Sequence, residues 1–156
     1  MIILFHIAIV ITTFLFMEFM AWFTHKYVMH GLMWYFHYDH HNGRKGFFER
    51  NDVFFLIFAI PGWLFTMFGM MHGFDWKLYV GIGIILYGLA YFLVHDVYIH
   101  QRFKWFKNSD LLYFKAIRKA HRAHHSHISK EKGESFGMLI IAKKYWQQAR
   151  DKKSIV

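Results

Sequence analysis

The sequence predicts an all-α, polytopic membrane helix bundle of three to four membrane helices with a histidine-rich helical cap at one end. Three observations predict it. Apolar residues make up 56% of the 156 positions and aromatics 22%, more than a soluble domain of this length can bury. Three apolar runs each approach the roughly 20 residues that cross a bilayer core of ~30 Å. The 13 histidines outnumber the 10 acidic residues, and ten of them form close groups within two segments at the ends of the apolar runs.

The first run, Ile2 to Phe23, is interrupted only by His6, two threonines and Glu18. It has no basic n-region and no small-residue cleavage site, so a retained span is expected, not a cleaved leader. The second run, Val53 to Met71, contains Pro61. Proline removes a backbone donor and crowds the preceding turn, so a kink is expected there. The third run, Leu78 to Val94, carries Gly81, Gly83 and Gly88, which permit close helix approach. Spans at about 2–23, 53–71 and 78–94 leave two polar segments, 24–52 and 95–156, within a single membrane-embedded domain over 1–156.

Arg and Lys give the orientation. Segment 24–52 carries Lys26, Arg44, Lys45 and Arg50, segment 95–156 carries fourteen more, and the hairpin between the second and third spans has only Lys77. The positive-inside rule therefore places both basic segments on the cytoplasmic face of the cytoplasmic membrane. Most of that charge is read as a topology signal and as contact with anionic head groups, and no nucleic-acid partner is expected. The run Phe136 to Trp146 is expected to form a short interfacial amphipathic helix closing the site.

The histidines fall into four groups: His25 and His30; His37, His40 and His41; His95 and His100; His121, His124 and His125. H-x4-H followed by H-x2-H-H thus occurs twice, once on each basic segment. On a helix, positions i, i+3 and i+4 share a face, so each triplet can converge. Positions i and i+5 lie about 140° apart on an ideal α-helix, so each pair converges only where the helix ends or bulges. Gly31 is a natural stop after His30. For His95 and His100 the expectation is a distorted helix, or ligation of two different metals. Asn108-Ser109-Asp110 is the expected N-cap of the helix bearing the fourth group.

With no cysteine in the chain, thiolate sites and disulfides are excluded and any metal must be held by nitrogen or oxygen. Imidazole suits iron, zinc, copper and nickel alike. Ten imidazoles exceed one coordination sphere and divide naturally between two metals, whereas a structural zinc site needs four ligands. A metal transporter, the reading from another class, would place its ligands near the bilayer midplane, not at one face. His6 and His72, toward the opposite face, are read as structural, and His127 as a non-ligand. Glu18, seven residues before His25, is read as a catalytic-site carboxylate: a hydrogen-bond partner for a ligand imidazole or a proton relay. Asp96, four residues before His100, is assigned the same kind of role, and Asp39 beside His40 is a further candidate for orienting an imidazole.

The histidine order, together with Glu18, "HKYVMHG", "HDVYIH", "HRAHHSH" and "KEKGESFGML" (Lys130 to Leu139), resembles the bacterial β-carotene hydroxylases of the membrane fatty acid hydroxylase superfamily. The resemblance implies two non-haem irons held by His25, His30, His37, His40, His41, His95, His100, His121, His124 and His125, with zinc as a substitute in expressed protein. It further implies hydroxylation of carbon 3 of each β-ionone ring, from β-carotene through β-cryptoxanthin to zeaxanthin. Dioxygen and a ferredoxin-type electron donor would be consumed, and the basic face could steer an acidic donor. Other lipid hydroxylases, ketolases and desaturases of the superfamily share the histidine pattern. Phe19, Trp22, Phe23, Tyr91 and Phe92 are candidates for the wall of a substrate channel.

Overall fold

Strong apolar runs of 19 to 22 residues form helices because their backbone polar groups must be satisfied within the segment if lipid surrounds them. The computed structural model describes residues 1–43, 46–103, 105, 109–131 and 133–151. Arg44 and Lys45 of the first basic segment, Asn108 of the expected cap and Lys132 of the 130–139 run lie outside these. So do Lys104 and Lys107 and, at the end of the chain, Lys152 and Lys153.

Helix α1 (Ile2–Phe23) continues directly into a π-helical segment, Thr24–Leu32, and α2 (Trp34–His41) follows. A 3-10 turn, Arg50–Asp52, leads into α3 (Val53–Met71). Helix α4 (Trp76–Tyr91) runs into a second π segment, Phe92–Ile99. Helices α5 (Leu112–His125) and α6 (Lys143–Arg150) complete the described elements. The three rods built on α1, α3 and α4 are long and apolar enough to cross a membrane. Only 11%, 17% and 28% of their most apolar stretches are buried within the protein, so most of that surface is left for lipid.

Helix α4 packs against both α3 and α1, and two of its glycines explain how. A Cβ on Gly81 would lie 2.6 Å from the Thr66 nitrogen and 2.9 Å from the Gly62 oxygen on α3. A Cβ on Gly83 would meet Thr13 at 2.7 Å and the Val10 oxygen at 2.9 Å on α1. Gly88 faces open space, so the expectation of close approach holds for two of the three glycines. Pro61 lies inside α3, which continues through it as one helix to Met71. Between α1 and α4, Met17, Ala21 and Tyr87 form a small core with Phe14, Phe58, Ile84, Tyr91 and Leu139 around it.

The cap consists of α2, α5, α6 and the 133–142 strand of chain that joins the last two. Ala116 and Ala120 of α5 present a flat apolar face to Tyr145 of α6, with Trp146 and Ala149 beside it. Two local expectations are corrected here. The helix predicted over Phe136 to Trp146 forms only from Lys143, because the amides of Met138, Leu139 and Ile140 all turn to Glu18 instead of to a helical carbonyl ladder. Among the described residues the expected side-chain cap of α5 is also absent: its N-cap is Leu111, Ser109 Oγ accepts from the Leu111 amide at 3.4 Å, and Asp110 pairs with Lys115.

Candidate metal centre

The two H-x4-H pairs converge through the π segments. A π-helix closes i→i+5 hydrogen bonds, so residues five apart stack one above the other. His100 donates its amide to the His95 carbonyl at 2.9 Å, and Met33 bonds Val28 in the same way at 2.8 Å. Gly31 has non-helical φ −111° and ψ −110°, so the helix leaving the first span breaks there, directly after His30, as its sequence position predicts. Distortion is therefore the answer for both pairs, and each pair keeps to one metal group.

Two groups of imidazoles result, each with all its ligand nitrogens within 4.8 Å of one another. Site A contains His25, His30, His37, His41 and His124, all buried; site B contains His40, His95, His100 and His121. His125 lies beside site B, with its ring 4.5 Å from His121, 4.7 Å from His40 and 5.0 Å from His100, and it stacks at 4.6 Å on His41 of site A. The triplets do not each converge on one metal, as face-sharing alone implies. His37 and His41 turn to A while His40 turns to B, and His124 turns to A while His121 and His125 turn toward B. Helices α2 and α5 thus lie between the two sites and serve both.

Hydrogen bonds fix which ring nitrogen faces inward. In site A, His25 Nδ1 bonds the Phe136 carbonyl at 3.0 Å, His30 Nδ1 that of Lys130 at 3.3 Å and His124 Nδ1 that of Glu134 at 3.0 Å. His37 Nδ1 bonds Asn51 Oδ1 at 2.7 Å. A carbonyl oxygen only accepts, so each Nδ1 carries the proton and each neutral ring presents a bare Nε2 lone pair. Yet His25 and His37 bring their Nε2 atoms to 3.1 Å, and His30 and His124 theirs to 3.2 Å. Two lone pairs cannot hydrogen-bond to each other, and a cation between them satisfies both. Site B repeats the pattern: His40 Nδ1 donates to Glu49 at 2.8 Å and His95 Nδ1 to Asp96 at 3.4 Å. There the Nε2 atoms of His100 and His121 meet at 2.8 Å, and His125 Nε2 is buried with no hydrogen-bond partner.

Burial keeps the rings neutral. Desolvation, then the neighbouring imidazoles, hold His40 and His121 well below the usual histidine range. Desolvation likewise lowers His41 to about 4, His125 to about 3, and His37 and His124 to about 2. Neutral imidazole is the form that ligates metal, so the donor set fits two divalent cations held by nitrogen.

The carboxylates are arranged differently from the sequence expectation. Glu18 touches no imidazole. Its Oε1 accepts from the amides of Met138, Leu139 and Ile140 at 3.0, 2.9 and 2.9 Å, and its Oε2 accepts from Tyr87 Oη at 2.8 Å. It is a tether for the 133–140 strap, whose Glu134 and Phe136 carbonyls orient His124 and His25. Asp39 turns away from His40 and accepts from the Arg50 amide at 2.9 Å. Asp96 approaches His95, its neighbour in sequence, and also takes Arg102 Nε at 3.2 Å. Sequence reasoning missed Glu49, Asn51 and Arg102, because they act across loops and no spacing rule marks them.

His6 stacks on Tyr79 at 3.8 Å, His72 Nδ1 bonds the Phe68 carbonyl at 2.7 Å and His127 Nδ1 that of Ala123 at 3.1 Å; none joins either group. Of the five channel candidates, Tyr91 reaches an imidazole of site B, 4.8 Å from His95, whereas Phe19 and Phe23 are exposed on the outer surface.

The chain matches the family model described as Fatty acid hydroxylase over residues 10–143. It is 42% identical to the β-carotene hydroxylase of Pseudescherichia vulneris, over 86% of this chain and 76% of that protein. The β-carotene hydroxylase of Pantoea ananas is also 42% identical, over 84% and 74% respectively, and that of a Paracoccus species 34% identical, over 84% and 81%. No solved structure matches the chain. With its family model covering most of its length, and with these relatives beside it, the chain belongs to the fatty acid hydroxylase family.

Proposed function

We propose that this protein is a carotenoid hydroxylase that acts on carbon 3 of each β-ionone ring, converting β-carotene to zeaxanthin through β-cryptoxanthin. The observation that carries the reading is the set of bare imidazole nitrogens facing one another at the mouth of a three-span bundle. The β-carotene hydroxylases of three bacteria, similar over most of this chain, support the substrate class.

Two non-haem irons are the proposed cofactors. His25, His30, His37, His41 and His124 would hold one, and His40, His95, His100 and His121, joined by His125, the other. A ring C–H bond offers no acidic proton, so acid–base groups cannot cleave it, and the bound metals supply the dioxygen chemistry that does. The balance per hydroxylation is one oxygen atom into the C–H bond and one to water, with two protons and two electrons from a reduced ferredoxin-type donor.

The chain's own contributions are positioning and exclusion of water. The π segments, the Nδ1 acceptors and the strap hold the ring nitrogens, while the Phe136 and Trp34 rings, 5.1 Å from His30, shield site A. A carotenoid dissolves in the bilayer, and its ring would enter from between the spans near Tyr91. The Lys and Arg distribution favours a cytoplasmic cap on a single membrane-embedded domain, where a soluble electron donor has access.

Expression in cells that accumulate β-carotene, followed by chromatography of the pigments, tests the proposal. Zeaxanthin with some β-cryptoxanthin is expected. Unchanged β-carotene, with iron and reductant confirmed present, would overturn it, and ketolated pigment would reassign the reaction.

A further inference from the structure

The two sites differ in what stands behind their ligands. In site A, four Nδ1–H groups end on uncharged acceptors: the carbonyls of Phe136, Lys130 and Glu134, and the Asn51 amide oxygen. In site B, carboxylates stand behind two of the ligands, Glu49 behind His40 and Asp96 behind His95. These carboxylates belong to a half-buried cluster. Arg102 reaches Asp96 at 3.2 Å, Glu49 at 3.5 Å and Asp52 at 2.6 Å, so one guanidinium bridges three carboxylates. The Glu49 side chain is 7% exposed, and its position is fixed by a reciprocal pair with Asp52 at the start of the 3-10 turn.

A carboxylate behind a ligating imidazole makes the ring more basic and fixes its orientation, and losing such a partner typically costs 10–100-fold in metal affinity. From these contacts we infer that the two metal positions are chemically unequal, with site B the higher-affinity one and Glu49 its principal positioning residue. The inference rests on the two-metal reading above. It implies ordered loading: the first ion enters B on rigid, carboxylate-backed rings, and the second enters A, whose strap is latched separately by Glu18. Arg102 ties the loop before α3 to the end of the α4 rod, so it joins the halves of B.

The test is titration of the full-length, chelator-stripped protein in detergent with Co(II), followed by its visible absorption and by calorimetry. Two ions are expected in two resolved steps. In Glu49→Gln the tighter step should weaken about 10–100-fold and its absorption bands shift, while the weaker step keeps its affinity. Asp96→Asn, placed behind a different ligand of the same site, should weaken the same step. Two ions bound with one affinity by the unaltered protein would overturn the inference while leaving the two-metal reading standing. So would variants that change only the weaker step. Uptake of fewer than two ions would overturn both.

Discussion

Replacing Glu18 by Ala should free the strap that closes site A. The side chain accepts four hydrogen bonds, three from consecutive amides and one from Tyr87, and is 6% exposed. Two of its donors are enclosed: Tyr87 is 3% exposed and Met138 is 2% exposed. Leaving each without an acceptor costs about 1–3 kcal/mol. The Leu139 and Ile140 amides lie nearer the surface and recover part of their loss by hydration, so the total comes to about 4 kcal/mol. The readout is hydrogen exchange at the amides of 138, 139 and 140. A loss of about 4 kcal/mol in local opening corresponds to roughly 10³-fold faster exchange. Amides inside α3 should keep their protection. Glu18→Gln, which retains a neutral acceptor, should fall between. The strap also supplies the carbonyls behind His25 and His124, so the Ala variant should lose metal from site A before site B. Unchanged exchange at 138–140 would refute the tether. Metal loss from B alone would refute the link between strap and site.

Gly81→Ala should separate α3 from α4, since the added Cβ would lie 2.6 Å from the Thr66 nitrogen; a loss of about 1–3 kcal/mol is expected by unfolding in detergent. Gly88→Ala, with open space around it, is the control and should be neutral or stabilising by up to ~1 kcal/mol. The metal-free protein should weaken in acid. Unfolded imidazoles take up protons below about 6.5, whereas His37 and His124 in the folded chain do so only near about 2, His125 near about 3 and His41 near about 4. The unfolded state therefore binds more protons below pH 6.5, and each ring removes about 1.4 kcal/mol of stability per pH unit. Tm should fall markedly from pH 7.5 to 5.5, and a flat profile would contradict the burial of neutral rings. His121→Ala should abolish hydroxylation while sparing membrane insertion, and His127→Ala should leave hydroxylation intact; pigment analysis alongside membrane fractionation checks both.

The spans were legible because lipid imposes a simple rule: every backbone polar group must be satisfied within its own segment. The apolar runs at 2–23 and 53–71 coincide with helices Ile2–Phe23 and Val53–Met71, and the third differs by a few residues at each end. The histidine groups were legible as candidate ligands by number and type, but their division into two clusters was not. Ideal-helix geometry assigns His37, His40 and His41 to one face, and at short range that is correct. It does not reveal that α2 lies between two sites, so that His40 turns one way and His37 and His41 the other. The i,i+5 pairs posed a geometric problem in the sequence, and the π segments resolve it. Glu18 was marked as functional by its cost inside a span, but its partners come from residues 138–140, 120 to 122 positions away. Glu49, Asn51 and Arg102 carried no signal at all, since loops set their contacts and no periodicity governs loops.

The central claim is that two metals, held by these histidines, act together in an oxygen-dependent hydroxylation. The most direct measurement loads the stripped full-length protein with graded amounts of Fe(II) and follows bound iron and hydroxylated carotenoid in the same samples, with reductant and dioxygen supplied. The account predicts negligible product up to one iron per chain and product rising with the second. Full activity at a single iron per chain would contradict it.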